Sequence, residues 1–211
     1  MLTILSVFAI FIPALILPGP DFIAVVRSSI TRGARAGLAT TLGVSCGLGL
    51  YASLSLIGLS AILVQYHWLA IAVRLAGGAY LIWLGIGLLR AKREEAQEMA
   101  QAMNARWRPS GNPLLFGFLV TLTNPKAIVL FTSVFATAVT GATPVGTMAA
   151  MVGLVVIASL TWYTIVALTM SSAPVVRRFT QLRHWIERVA GTVFIALGGK
   201  ILADARSPLA N

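Results

Sequence analysis

The chain has 211 residues, of which 58% are hydrophobic and 10% charged, with a net charge of +10 and a mean hydropathy of +0.88. No soluble core of this size needs so much apolar surface, so the composition indicates an integral membrane protein; the apolar runs are continuous rather than alternating, which argues against a transmembrane β-barrel. The basic residues lie mostly in short segments between apolar runs, where they act as topology signals, and this argues against a nucleic-acid role.

A helical span takes roughly 20 mostly apolar residues. Six runs meet that requirement, at about 2–26, 37–63, 68–89, 113–139, 145–172 and 185–204. The expected fold is therefore an all-α integral membrane protein, one six-span domain over 1–211. It divides into a three-span unit (1–90), a connecting loop (91–112) and a second three-span unit (113–211). The N-terminus, MLTILSVFAIFIP, lacks the positive segment of a signal peptide and reads as the uncleaved start of span one.

Within span one, ILPGPDFIAV (16–25) places Pro18, Gly19 and Pro20 directly before Asp21. Proline removes a backbone N–H and clashes with the preceding turn, so the helix is expected to unwind there. Arg27, Arg32 and Arg35 follow. Span two carries Ala39, Gly43 and Gly47 at four-residue spacing, the small-xxx-small pattern of closely packed helices. The single Cys46 excludes an internal disulfide and suggests no metal cluster. Only His67 separates spans two and three, and Gly77, Gly78 and Gly85 offer a second packing face in span three.

The segment 90–112 holds Arg90, Lys92, Arg93, Arg106 and Arg108. It is expected to be a solvated linker with a short surface helix, anchored by Trp107 and ended by Pro109, Gly111, Asn112 and Pro113. Span four repeats the earlier anomaly, with Asn124, Pro125 and Lys126 in an apolar run. The loop near 140–144 is uncharged, while Arg177, Arg178 and Arg183 precede span six. This alternation puts loops one, three and five in the cytoplasm and both termini in the periplasm.

The halves resemble each other. PGPDFIAVV (18–26) set over TNPKAIVLF (123–131) matches Pro20 with Pro125 and Asp21 with Lys126. GAYLIWLGIGLL (78–89) set over GTVFIALGGKIL (191–202) matches Gly78 with Gly191 and Gly85 with Gly198. Because each unit has an odd number of spans, the second enters the membrane from the opposite side. The result is an inverted 3+3 repeat, a ground plan of secondary transporters that can exchange the arrangements of its halves.

A charge inside lipid costs about 2.5–3.5 kcal/mol on insertion scales, so Asp21 and Lys126 read as functional. Unwound backbone must line a wet cavity or be buried in protein. Together these groups suit a zwitterionic amino acid: Lys126 and nearby N–H groups for its carboxylate, Asp21 and freed carbonyls for its ammonium. Asp21 is also the candidate proton carrier, since opening and closing the site would change its surroundings. The bland alternatives are that Asp21 caps the restarting helix or that the pair is a structural ion pair. Thr40, Ser45, Ser53, Thr121, Thr132, Ser159 and Thr161 either line a pocket or bond across helices. His67 and His184 lack ligand or nucleophile partners at useful spacing, and there is no P-loop or GxSxG, so neither enzyme chemistry nor a cofactor is expected.

At these residues the chain resembles the LysE/RhtB family of bacterial amino-acid exporters. The similarity rests on LPGPDF, on RSSITRGARAGLATTLGVSCGLGLYASLSLIGLSAIL, on GAYLIWLGIGLLR and on FGFLVTLTNPKAIVLF with its NPK motif, and covers about 10–205. It implies an inner-membrane carrier exporting amino acids or their derivatives by proton antiport, and it leaves room for a homodimer. The family's motif residues fall here on Pro18, Gly19, Pro20 and Asp21, and on Asn124, Pro125 and Lys126. TSVFATAV after the NPK motif lacks the Pro-Gln-Phe often found at the end of span four, which leaves the substrate subgroup open.

Overall fold

The computed structural model describes residues 2–65, 67–90, 111–128, 130–131, 143–169 and 173–205. Every regular element among them is helical, as lipid demands of backbone that must satisfy its own hydrogen bonds. In chain order these are α1 (Leu2–Ile16), α2 (Pro20–Arg32), α3 (Ala34–Gln65), α4 (His67–Arg90), α5 (Pro113–Leu122), α6 (Val145–Thr169) and α7 (Ala173–Ala205). Further helical residues lie at 125–128 and 130–131. The expected linker at 91–110, with Trp107, and the candidate Thr132 lie outside the described residues.

The protein is of the membrane class. Within α3, Ala34–Gly58 is long and apolar enough to cross a bilayer, as is α6. Val7–Ile16 and Pro20–Arg32 qualify together, meeting at 42° across a short break. Leu75–Arg90 and Pro113–Leu122 are shorter apolar helices. Large apolar side chains such as Leu54, Ile57, Trp83, Ile157 and Val189 point outward, a surface suited to lipid rather than water.

Three helices depart from the expected boundaries. α7 begins at Ala173, so Arg177, Arg178, Arg183 and His184 are helical residues rather than a loop. Hydropathy marks where lipid begins, whereas a helix with polar sides continues into the headgroups and water. Likewise α2 runs to Arg32 and α3 starts at Ala34, leaving Gly33 as the whole connection. Gly33 has φ 84°, a left-handed conformation that glycine adopts without steric cost.

α3 is the central element, packing on α2, α5 and α6, while α4 and α7 pair extensively with each other. Glycines make both seams. A Cβ on Gly47 would stand 2.8 Å from Thr121, one on Gly43 would collide with the Leu114 carbonyl of α5, and one on Gly117 would collide with the Thr40 carbonyl of α3. Between α4 and α7 the contacts are reciprocal. A Cβ on Gly78 would lie 3.1 Å from the Gly198 carbonyl, and one on Gly198 2.7 Å from that of Gly78. Gly85 and Gly191 repeat the relation at 2.6 and 2.8 Å. Phe22, Phe131, Leu56 and Met151 fill the core between the helices.

Candidate functional site

In an α-helix the N–H of each residue bonds to the carbonyl four residues back. Proline at position 18 therefore strands the Ala14 carbonyl, and proline at 125 strands that of Thr121. The first vacancy is filled from across the bundle: the Lys126 ammonium donates to Ala14 O at 2.8 Å and reaches Leu17 O at 3.5 Å. At the second break, the Asn124 N–H turns back to Thr121 O at 3.0 Å. The Asn124 side-chain oxygen accepts the Lys126 N–H at 3.1 Å. That diverts the N–H from its usual acceptor, the Leu122 carbonyl, which instead receives the Tyr51 hydroxyl at 2.6 Å.

The carboxylate is held in the same crossed fashion. α2 restarts with Pro20 in its first turn, after an extended Gly19 that carries no side-chain cap. Asp21 stands in that first turn, where the helix dipole favours an anion. It is 6% exposed. One oxygen accepts the Thr121 hydroxyl at 3.0 Å and the other the Asn124 amide at 3.1 Å. The side-chain bonds of Asp21 thus come from the second break rather than from its own helix start, so it is not the cap of α2. Both charges take their hydrogen bonds from dipoles rather than from each other.

Of the seven motif residues, Gly19, Asp21, Asn124 and Lys126 line one cavity, whose walls also include Phe131 and Tyr163. Its volume is about 30 Å³, room for roughly two waters and not for an amino acid. Pro20 and Pro125 are exposed; with Pro18, they act on the site through the backbone they interrupt. The Gly19 backbone lies close to the ammonium, and a Cβ there would be 3.6 Å from Lys126 Nζ. Tyr51, Tyr163 and the Ala14 carbonyl are the contributors that sequence reasoning missed. The carbonyl had a signal, since it lies four residues before Pro18.

The serines and threonines left open by the sequence now separate. Thr121 reaches Asp21, Thr40 bonds to Ser28 across α2 and α3 at 2.8 Å, and Ser53, Ser159 and Thr161 bond to their own helices. The Ser45 hydroxyl is buried without a partner. Burial of charge also extends beyond the pair expected: Asp21, Arg27 and Glu187 are buried, whereas Lys126 is half-buried. No group of three His, Cys, Asp or Glu among the described residues could hold a metal ion.

The model of the LysE type translocator matches residues 12–205. The chain belongs to that family. Members of the LysE family are translocators, not enzymes. Among relatives, the threonine efflux protein of Escherichia coli (strain K12) is 34% identical over 200 residues, covering 94% of this chain and 96% of the relative. The threonine efflux protein of Salmonella typhimurium is 31% identical over 198 residues, with 94% and 96% covered. An uncharacterized membrane protein of Haemophilus influenzae is 27% identical over 195 residues, with 92% and 93% covered. No solved structure matches the chain.

Proposed function

We propose that this LysE family member exports amino acids, threonine or a small relative first among them, across the bacterial inner membrane by proton antiport. The reading makes the chain one domain of six spans in an inverted 3+3 repeat, with both termini periplasmic. Pro18, Gly19, Pro20, Asp21, Asn124, Pro125 and Lys126 form its substrate site, and Asp21 carries the proton. The observation that carries it is the shared cavity: the carboxylate of one break and the ammonium of the other face the same small space, each held by the opposite half. A zwitterion entering there would meet Lys126 with its carboxylate and Asp21 with its ammonium.

The contacts are also consistent with the repeat. Exchanging the matched positions (Gly78 with Gly191, Gly85 with Gly198) turns the Gly78–Gly198 contact into Gly191–Gly85, which is the other observed contact. The same exchange turns Asp21–Asn124 into Lys126–Gly19, again a close pair. The relatives' printed names supply threonine as the first substrate to try.

The test is uptake of labelled threonine and other amino acids into inverted vesicles, which present the cytoplasmic face outward. An imposed proton gradient should drive accumulation, and an uncoupler should collapse it. Asp21→Asn should abolish driven uptake while the protein still inserts. Full accumulation by that variant removes Asp21 from proton coupling. Equilibration without accumulation by the wild type identifies a passive channel, and no movement of any amino acid identifies an accessory or scaffold protein.

A further inference from the structure

α5 buries two residues, Gly117 and Thr121, one turn apart on the side facing α3. Gly117 rests on the Thr40 backbone, and the Thr121 methyl fills the space that a Cβ on Gly47 would need. The hydroxyl of the same Thr121 donates to Asp21. One side chain therefore both packs in the seam between α3 and α5 and hydrogen-bonds the buried carboxylate. We infer that the α3–α5 seam is the gate on the side of residues 91–112, closed here, and that Thr121 is the positioning residue tying its closure to the charge on Asp21. This inference rests on the transport reading above.

Three observations support a seam built to part. First, in the proposed repeat α5 corresponds to α1 and α3 to α6, yet α1 only grazes α6 where α5 packs tightly on α3. Exchange of the two arrangements would release α5 and engage α1. Second, the seam is glycine against backbone at Gly43 and Gly117 and glycine against the one short side chain of Thr121 at Gly47, so it can separate with little side-chain disentangling. Third, the Thr121 hydroxyl has a second acceptor ready, the Gly117 carbonyl of its own helix at 3.2 Å. When α5 leaves, the Thr121 hydroxyl falls back on that carbonyl and is not stranded, while the half-buried Tyr51 hydroxyl exchanges the Leu122 carbonyl, now at 2.6 Å, for water. The carboxylate, by contrast, loses a donor, and only its charged form gains fully from having it. Closure and an ionised Asp21 thus favour each other, as linkage between two sites requires.

The experiment reads gate opening without reading transport. With Cys46, which is exposed, replaced by Cys46→Ser, Thr40→Cys places one thiol beneath the seam at a fully buried position. Its rate of reaction with N-ethylmaleimide in membranes reports how often α5 lifts. Thr121→Val keeps the methyl packing and removes the hydroxyl; it should raise the rate about tenfold or more, the worth of a hydrogen bond to a charged group. Thr121→Ser should restore slow reaction. In the Asp21→Asn background the Thr121→Val increase should shrink to about threefold or less, since the charged acceptor is gone. Gly47→Ala should raise the rate by pushing Thr121 away, and should do so in either background.

An unchanged rate in Thr121→Val, an equal rise in both backgrounds, or no response to Gly47→Ala overturns the coupling. The two readings fail separately. If the cycle is found but no amino acid moves in vesicles, the coupling stands and the export proposal falls. If transport is driven normally and the cycle is absent, the reverse holds.

Discussion

At the scale of single residues, the site depends on what prolines take away. Pro18 removes the N–H that would have satisfied Ala14, and the Lys126 ammonium takes that place at 2.8 Å. Pro18→Ala returns a competing N–H. The variant should insert, and its thermal midpoint in detergent should hold or rise as α1 gains a bond. Driven efflux should nevertheless fall about tenfold, in keeping with the ~1.5–3 kcal/mol of a charge-assisted bond. Lys126→Met should fall further, below about a hundredth of the wild-type rate, since it removes the ammonium and strands the carbonyl together; labelled uptake in vesicles measures both. Asp21 and Lys126 stood out in the sequence because a charge in an apolar run is costly, and the structure brings both to one cavity. Thr121 was not separable from its neighbours. A hydroxyl in a membrane helix can always bond to its own backbone, as Ser53 and Thr161 do, and only the three-dimensional register shows which one meets a carboxylate.

At the scale of helices, glycines sort into those under contact and those facing open space. Gly43→Ala drives a methyl into the Leu114 carbonyl, backbone that no rotamer change can move. It should cost about 1–3 kcal/mol, as overpacking does, and lower the thermal midpoint by several degrees. Gly58→Ala and Gly153→Ala meet nothing nearby, and should be neutral or stabilising by roughly up to 1 kcal/mol. Differential scanning of purified protein distinguishes the classes. The small-residue spacing at Gly43 and Gly47 announced a packed face but not its partner, because the pattern is the same whichever helix approaches. Helix ends were read less well than helix cores. α7 starts twelve residues before the apolar run at 185, since hydropathy reports the surrounding solvent and helicity does not depend on it.

At the scale of the whole molecule, the prediction concerns sidedness. The six spans proposed would return the chain to the side where it began, so tags at the two ends should be cut by the same externally added protease in spheroplasts. A cleavage site inserted within 91–112 should be cut only in inverted vesicles. Ends on opposite faces would break the 3+3 plan. The membrane class was plain from composition, whereas the pairing of α4 with α7 was not, because facing glycines carry no label for one another. The crossed bonding at the two breaks has one further consequence. A symmetric dimer of identical three-span chains must put the same residue type at both matched positions, two acids or two amines across a shared space. In a single polypeptide built on the proposed 3+3 plan the matched positions are free to differ, as Asp21 and Lys126 do. Recognition of a small molecule with unlike ends is thus a capacity that duplication alone could not supply, and that divergence after fusion could.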